Sequence, residues 1–257
     1  MRQRRLVSIV GALALTATLA LTAAPAAAAT RGETDREAGA WQHSEWHGGQ
    51  SAELNLVHGI PNLPVDIYVV KNFWKVKKLT NVNFGTAADV NTAFPGFVTP
   101  GFYFVDIVPT GAKPWKPLLS ATVFLLPGQS KSVVAYVTAD AAGKPGAPTL
   151  GVFKNNQSST GGQSRVTVRH LAVAPTVGVY ADGAVALTPA FSNGQTATAV
   201  VPSGTYGVTV TAPNAPSTVL ADLGDVALPA NTNTLAFAIG TYPSTFTVAT
   251  LQIPTAI

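Results

Sequence analysis

Two histidines in matching surroundings are the residues of this sequence whose type and spacing could do chemistry. His58 precedes Tyr68 by ten residues in VHGIPNLPVDIYV, and His170 precedes Tyr180 by ten residues in HLAVAPTVGVY. Imidazole changes its charge near neutral pH and can serve as a general base, a metal ligand or a buried hydrogen-bonding group. Because the spacing is repeated, one role should hold for both histidines.

The neighbouring residues favour a structural role. Catalysis needs a cleft and an oriented partner, and Asp66, the nearby carboxylate for His58, is replaced by Gly178 in the second segment. In ELNLVH and RVTVRH, apolar and polar residues alternate, which places each histidine on the apolar side of a strand, just before a turn. There the ring can bond to loop carbonyls and amides. We therefore predict no catalytic residue, and a structural role for His58, Asp66, Tyr68, His170 and Tyr180.

A second group of possible ligands lies in WQHSEWHGG at 41–49. His43, Glu45 and His47 point to one side of an extended chain, as metal ligands would. The surrounding segment 30–51 is polar and lacks an apolar period, so it is predicted to be a flexible linker. Nothing rigid would orient the three side chains. We therefore predict that no metal is held here and that no cofactor is bound.

The N-terminus has the pattern of a secretory signal peptide at 1–29. Three arginines precede an apolar run at 6–21, and APAAAA offers small residues for cleavage after Ala29. The remaining chain has 13 basic and 12 acidic residues, so its charge does not favour nucleic acid or an anionic membrane. No second long apolar run is present to span a membrane. We predict a secreted, extracellular protein that is either released or retained non-covalently at the cell wall.

From residue 52 onward, short runs of Val, Ile, Thr, Phe and Tyr are separated by Pro, Gly and Asn, which is typical of strands and turns. The chain is also internally duplicated. The matched segments are 53–69 with 165–181, 100–111 with 203–214, and 126–137 with 228–239.

The duplication predicts an all-β fold. We expect two tandem antiparallel β-sandwich domains, immunoglobulin-like in the broad sense, with about seven strands each. Their predicted boundaries are 52–157 and 164–257, joined by a linker at 158–163.

The same residues resemble a known family of exported bacterial domains. VHGIPNLPVDIYV, the FG at 84–85 and PGFYFVDI are similar to the motifs of the family called domain of unknown function 4397. The second copy keeps His170, Pro175, Tyr180 and the ADG at 181–183. This resemblance implies a secreted β-rich module, often in tandem, with no assigned activity and no catalytic residues to carry over.

Two loops of the first copy place tryptophan among lysines. The first copy has nine basic and five acidic residues, whereas the second has two and three. Exposed tryptophan beside lysine suits the binding of a glycan or an anionic wall polymer. The alternative is that each tryptophan covers the edge of its own sheet. The candidate ligand-binding residues are Trp74, Lys75, Lys77, Lys78, Trp115 and Lys116.

Four aromatic residues of the first copy are predicted to lie on a second, non-core face. By strand parity, Phe102, Phe104, Phe124 and Tyr136 point away from the core, and the second copy has no aromatic residue in its matching positions. A large apolar patch is rarely left in water. We expect these four residues to form an interface covered by the second domain or a partner chain. The alternative is that segment 86–97, with its two phenylalanines, folds over them.

Enzyme motifs are absent from the sequence. It has no G-x-S-x-G elbow, no H-E-x-x-H and no glycine-rich phosphate loop before a helix. We predict an exported, non-enzymatic, envelope-associated structural or interaction module whose partner is a cell-wall polymer or a surface protein. The main alternative is a carbohydrate- or wall-polymer-binding protein acting through the tryptophan and lysine loops. A hydrolase with an unrecognised site is the third interpretation.

Overall fold

A computed structural model describes residues 51–183 and 185–256 of the chain. The predicted signal peptide at 1–29 and nearly all of the linker at 30–51 lie outside the described residues. Export and a flexible N-terminal linker therefore stay predictions.

The described residues up to 155 form eight strands and one short helix. Runs of β-branched and aromatic residues form the strands, and turn residues such as Asn62, Asn72 and Gly128, all with positive φ, separate them. The elements are β1 (Glu53–His58), β2 (Val65–Lys71), β3 (Lys75–Val82), β4 (Ala87–Asp89), α1 (Val90–Ala93), β5 (Gly101–Pro109), β6 (Leu119–Leu125), β7 (Ser130–Ala139) and β8 (Pro145–Asn155).

The residues from 164 onward form eight more strands, which follow one another along the chain as the first eight do. The elements are β9 (Ser164–His170), β10 (Val177–Ala181), β11 (Val185–Phe191), β12 (Thr196–Val201), β13 (Gly204–Ala212), β14 (Ala215–Leu228), β15 (Thr232–Ile239) and β16 (Thr247–Pro254).

The strands form four sheets, two in each half. The first half has the sheet orders β4-β1-β7-β8 and β3-β2-β5-β6. The second half has the orders β12-β9-β15-β16 and β11-β10-β13-β14, so each strand has a counterpart eight places further along the chain. The prediction of an all-β fold with two β-sandwich halves is confirmed. Each half has eight strands in the structure, rather than about seven.

One pair of strands in each half departs from the expected antiparallel pattern. β1 pairs with β7 and β9 pairs with β15 in parallel, whereas the other ladders are antiparallel. A parallel pair needs a long crossover instead of a hairpin, and here five intervening strands provide it. Turn residues report only on local connections, so the sequence pattern could not show this pairing.

The register of the sheets corrects one of the sequence alignments. Gly101 pairs with Leu125 in the first half, and its counterpart Gly204 pairs with Leu228 in the second. The equivalence is therefore 103 residues, whereas matching LPGQSKSVVAYV to LPANTNTLAFAI implied 102. Relative to the paired strands, the Leu-Pro of the first copy lies one residue later in the chain than the Leu-Pro of the second copy. As a result, Tyr136 corresponds to Ile239 and not to Ala238.

Each sandwich has its own apolar core, because alternate residues of each strand point between the two sheets. Leu54 and Leu56 of β1 and Ile67 of β2 are buried in the first core. Val166 and Val168 of β9 take the corresponding places in the second. Phe97 and the half-buried Phe94, which follow α1, pack against the first core rather than over its outer sheet.

A third apolar cluster joins the two sandwiches. It contains Val57, Val134 and Tyr136 from the inner sheet of the first half, and Leu235, Phe237 and Ile239 from the inner sheet of the second. These side chains alternate with the core-facing residues of the same strands. The inner sheets therefore pack face to face, and the described residues belong to one compact unit.

The segment between the halves, 156–163, is held by hydrogen bonds to both sandwiches. Gln157 donates a 3.0 Å side-chain bond to Glu53 of β1. Asn233 of β15 donates to the carbonyl of Asn156 at 2.9 Å. Arg165 of β9 donates to the carbonyl of Ser158 at 2.8 Å.

Within the described part of the chain, no helix is long and apolar enough to cross a membrane.

Candidate functional site

The most distinctive surface of the described residues is the outer sheet of the first sandwich. Phe102 of β5 stands directly opposite Phe124 of β6, and their ring centroids are 4.5 Å apart. Both rings are substantially exposed, at 51% and 42% of their full area. Phe104, two residues along β5, contacts Phe73 with a centroid distance of 4.9 Å. Strand alternation thus aligns aromatic rings on the solvent side of the sheet.

The β2–β3 turn extends this row beyond the end of the sheet. Asn72 and Phe73 have φ values of 49° and 66°, a region that bulky side chains seldom adopt. The turn is closed by a 3.2 Å bond from the Trp74 amide to the Lys71 carbonyl. In this conformation Phe73 reaches Phe104, and Trp74 stands 88% exposed. We use the name aromatic face for the surface formed by Phe73, Trp74, Val76, Phe102, Phe104 and Phe124.

The other end of the same sheet is polar. Lys78 Nζ lies 2.8 Å from Asp66 Oδ2 and 5.2 Å from the ring centroid of Tyr68. The hydrogen bond from Lys78 holds the pKa of Asp66 below its ordinary value. Asp66 also accepts a 2.9 Å bond from the amide of Asn81, which has a positive φ of 51°. Asp66 therefore ties the end of β3 to β2.

The structure does not bring the predicted tryptophan and lysine residues together. Val76 and Lys78 share the outer side of β3, whereas Lys75 and Lys77 point to the opposite side. Lys77 Nζ lies 5.5 Å from the ring centroid of Phe94.

Trp115 lies on the β5–β6 turn, at the end of the sheet away from Trp74. Its side chain is 69% exposed, and Lys113 Nζ is 5.4 Å from its ring centroid. Lys116 is exposed on the same turn. The two loops are thus separate surfaces, and only Trp74 belongs to the aromatic face.

Tyr136 does not share a face with the three phenylalanines. It lies on β7 of the inner sheet, is 9% exposed, and packs in the cluster between the two halves. Phe102, Phe104 and Phe124 lie on the outer sheet instead, where the second half does not cover them. Parity places all four side chains away from their own core but cannot tell the inner sheet from the outer one.

Both histidines are fully or almost fully buried at the ends of their strands. His58 Nε2 is 2.6 Å from the carbonyl oxygen of Leu63, and His170 Nε2 is 3.1 Å from that of Pro175. Each ring therefore donates to the loop that follows its strand. Burial lowers the pKa of both imidazoles below the ordinary value. A neutral ring whose Nε2 proton is bound to a loop carbonyl is placed to brace that loop, and the structural role of both histidines stays a prediction.

The two tyrosines of the repeated spacing have different surroundings. Tyr68 is half-buried beside Lys78 on the outer sheet, whereas Tyr180 is buried in β10. Among residues 51–183 and 185–256, no three His, Asp or Glu side chains cluster in a way that could hold a metal ion. His43, Glu45 and His47 lie outside the described residues, so the prediction of no metal site there stays a prediction.

Two members of the aromatic face were not predicted from the sequence. Phe73 and Val76 belong to KNFWKVKK, in which Trp74 was the residue singled out. The β2–β3 hairpin could have indicated Val76, because pairing β3 with β2 places Val76 opposite Val70 on the outer side of the sheet.

Comparison with known proteins gives a family and a distant structural likeness. The family model for domain of unknown function 4397 matches residues 52–180. A candidate cell adhesion protein of Bacteroides ovatus is 10% identical, with a TM-score of 0.25, over 80% of this chain and 99% of that one. A second, from Bacteroides uniformis, is 9% identical, with a TM-score of 0.25, over 82% and 99%. No curated protein matches the sequence.

Proposed function

Because this chain belongs to the family of domain of unknown function 4397, whose description assigns no activity, we propose a function from its surface. The protein is an exported, non-enzymatic interaction module of the cell envelope that binds through the aromatic face. The proposal includes the signal peptide at 1–29, the two domains at 52–157 and 164–257, and retention at the cell wall.

The exposure of the aromatic face carries this proposal. Phe73, Trp74, Val76, Phe102 and Phe124 are each more than 40% exposed on adjoining positions of one hairpin and two paired strands. Contiguous apolar patches on soluble proteins mark binding sites, because covering them gains about 25 cal/mol per Å². The face is also pre-formed, since most of its members stand on a hydrogen-bonded sheet whose other side is core. Little ordering entropy would be lost on binding.

The ligand that we propose is a cell-wall polysaccharide. Aromatic rings combine a large apolar surface with low conformational entropy, so they suit the apolar faces of sugar rings. A row of rings along the open surface of a sheet fits a long polymer better than a small molecule, which needs a concave pocket. The first half also has an excess of basic residues, nine against five acidic, which favours an anionic polymer.

The test compares binding of the secreted chain, residues 30–257, to purified cell walls and to soluble wall polysaccharide. We expect the wild type to bind, and Phe102→Ser/Phe104→Ser to bind at least ten-fold more weakly while keeping its circular dichroism spectrum. The matched control is Trp115→Ser, which removes an exposed aromatic residue from the other end of the same sheet and should bind as the wild type does. Loss of binding in the Trp115 variant alone would move the site to the β5–β6 turn and overturn the proposal.

A further inference from the structure

The second sandwich encloses an apolar cavity. Its volume is about 190 Å³, and it lies between the two sheets of the second half. Residues from both sheets line it, among them Val168, Val179, Ala221, Ala236 and Val248, and the lining is apolar except for His170, Thr234 and Thr250.

The cavity has its origin in the amino-acid sequence, because matched core positions of the two sandwiches differ in size. The strand registers identify the counterparts, and at eight core-facing positions the second sandwich has the smaller side chain. The pairs, first sandwich before second, are Leu54/Val166, Leu56/Val168, Ile67/Val179, Val69/Ala181, Ile107/Val210, Leu119/Ala221, Val133/Ala236 and Leu150/Val248.

We place the opening of the cavity at edge strands β14 and β16, because its exposed lining residues lie on these strands or beside them. Leu220 and Tyr242 are exposed there, and Phe246 and Val248 are half-buried. Among the described side chains, a 3.4 Å bond from Gln252 Nε2 to the carbonyl of Ala227 joins these two strands. In the first sandwich, Leu119 and Leu150, the counterparts of Ala221 and Val248, are half-buried and pack against the core.

The charges of the second half restrict what could enter. Residues 164–257 contain two basic side chains, Arg165 and Arg169, and both are buried and bonded to the junction or the first half. Asp182, Asp222 and Asp225 are exposed. A carboxylate or phosphate head would therefore find no cation of this half at the opening.

We propose that the second sandwich binds the straight hydrocarbon chain of an uncharged lipid. The chain enters between β14 and β16, and its polar end stays at the surface. An apolar protein cavity of about 150 Å³ holds one benzene molecule, so this cavity has room for about six to eight carbon atoms. This site is separate from the aromatic face and does not depend on the function proposed for it.

The first experiment uses residues 30–257 with labelled methyl groups and 1-heptanol as the probe. We expect saturable NMR shifts of the methyl groups of Val179, Ala236 and Val248, while those of Leu54 and Leu56 stay in place. Heptanoate has the same chain length with a negative head, and it should bind at least ten-fold more weakly. An absence of saturable shifts, or equal binding of heptanoate, would overturn the proposal.

The second experiment fills the cavity with a residue that the first sandwich already uses. Ala221→Leu introduces the leucine found at position 119, and we expect binding of 1-heptanol to fall at least ten-fold and Tm to rise. Ala227→Leu is the matched control, since it makes the same change at an exposed position of β14 and should leave binding unchanged. If Ala221→Leu does not fold, Ala236→Val, which introduces the valine found at position 133, makes the same test. Unchanged binding in a folded cavity-filling variant would contradict the site.

Discussion

Arg169 Nη2 donates a 2.9 Å hydrogen bond to Asn155 Oδ1, and this contact joins β9 of the second sandwich to the end of β8 in the first. The same nitrogen donates to the carbonyl of Lys154 at 3.1 Å. The guanidinium lies between the rings of Phe153 and Phe237, 5.1 and 5.3 Å from their centroids. Arg169 is 1% exposed, and burial lowers its pKa to about 10. It holds the two sandwiches together without a carboxylate partner among the described residues.

Arg169→Ala is expected to lower the free energy of unfolding by about 2–4 kcal/mol, because it removes a buried side chain and the hydrogen bonds that join it to Asn155 and Lys154. Arg169→Met keeps the packing between the rings and removes the desolvated charge. Its expected cost is within about 1 kcal/mol, since the lost hydrogen bonds and the relieved desolvation offset each other. Guanidinium denaturation measures both. An equal loss in the two variants would show that the charge, and not the packing, matters.

Gly59 tests how closely the two sandwiches approach. A Cβ added there would lie 2.8 Å from Ile239 Cγ2, across the junction, and 2.9 Å from the carbonyl oxygen of Ala135. Gly59→Ala is therefore expected to lower the free energy of unfolding by about 1–3 kcal/mol through overpacking. Gly204→Ala is the control, because its Cβ would meet its nearest neighbour at an ordinary 3.6 Å. Thermal denaturation that shows the same Tm for both variants would argue against close packing of the halves.

The buried histidines predict a loss of stability in weak acid. Burial lowers the pKa of His58 and His170 below the unfolded value of about 6.5. Between the folded and unfolded pKa values, the unfolded chain binds more protons, so the free energy of unfolding falls as pH drops below about 6.5. We expect denaturation at pH 7.5 and 5.5 to show this fall, and His58→Gln/His170→Gln to reduce it. His43→Gln/His47→Gln is the control and should leave the pH dependence as in the wild type.

Gly178 shows why the second copy has no aspartate two residues before its tyrosine. A Cβ at this position would lie 2.8 Å from the carbonyl oxygen of Pro189 and 2.9 Å from Thr211 Oγ1. Gly178→Asp, which introduces the counterpart of Asp66, is therefore expected to destabilise the protein by about 1–3 kcal/mol. Gly207→Ala on neighbouring β13 has open surroundings, with nothing nearer than 3.7 Å, and should cost less. A more stable Gly178→Asp variant in urea denaturation would contradict this explanation.

The orientation of side chains about their own core could be predicted from the sequence. In ELNLVH and RVTVRH, the alternation places Leu54, Leu56, Val166 and Val168 toward the core, and the structure has them there. Alternation is a local consequence of the extended backbone, so a few residues suffice to show it. The internal repeat likewise predicted two β halves, because matching segments recur in the same order in both copies.

The tertiary structure alone decided which surface is covered and how the repeats are registered. Tyr136 and Phe102 both point away from their core, but β7 belongs to the inner sheet and β5 to the outer one. Strand parity has a period of two and carries no information about which sheet meets a neighbour. The same limit explains the error in aligning 126–137 with 228–239. The alignment matched the Leu-Pro pairs of the two copies, whereas the pairing of Gly204 with Leu228 shows that they differ in position by one residue. Sheet order, register and the packing of the two halves depend on contacts between residues far apart in the chain, and these are absent from any local pattern.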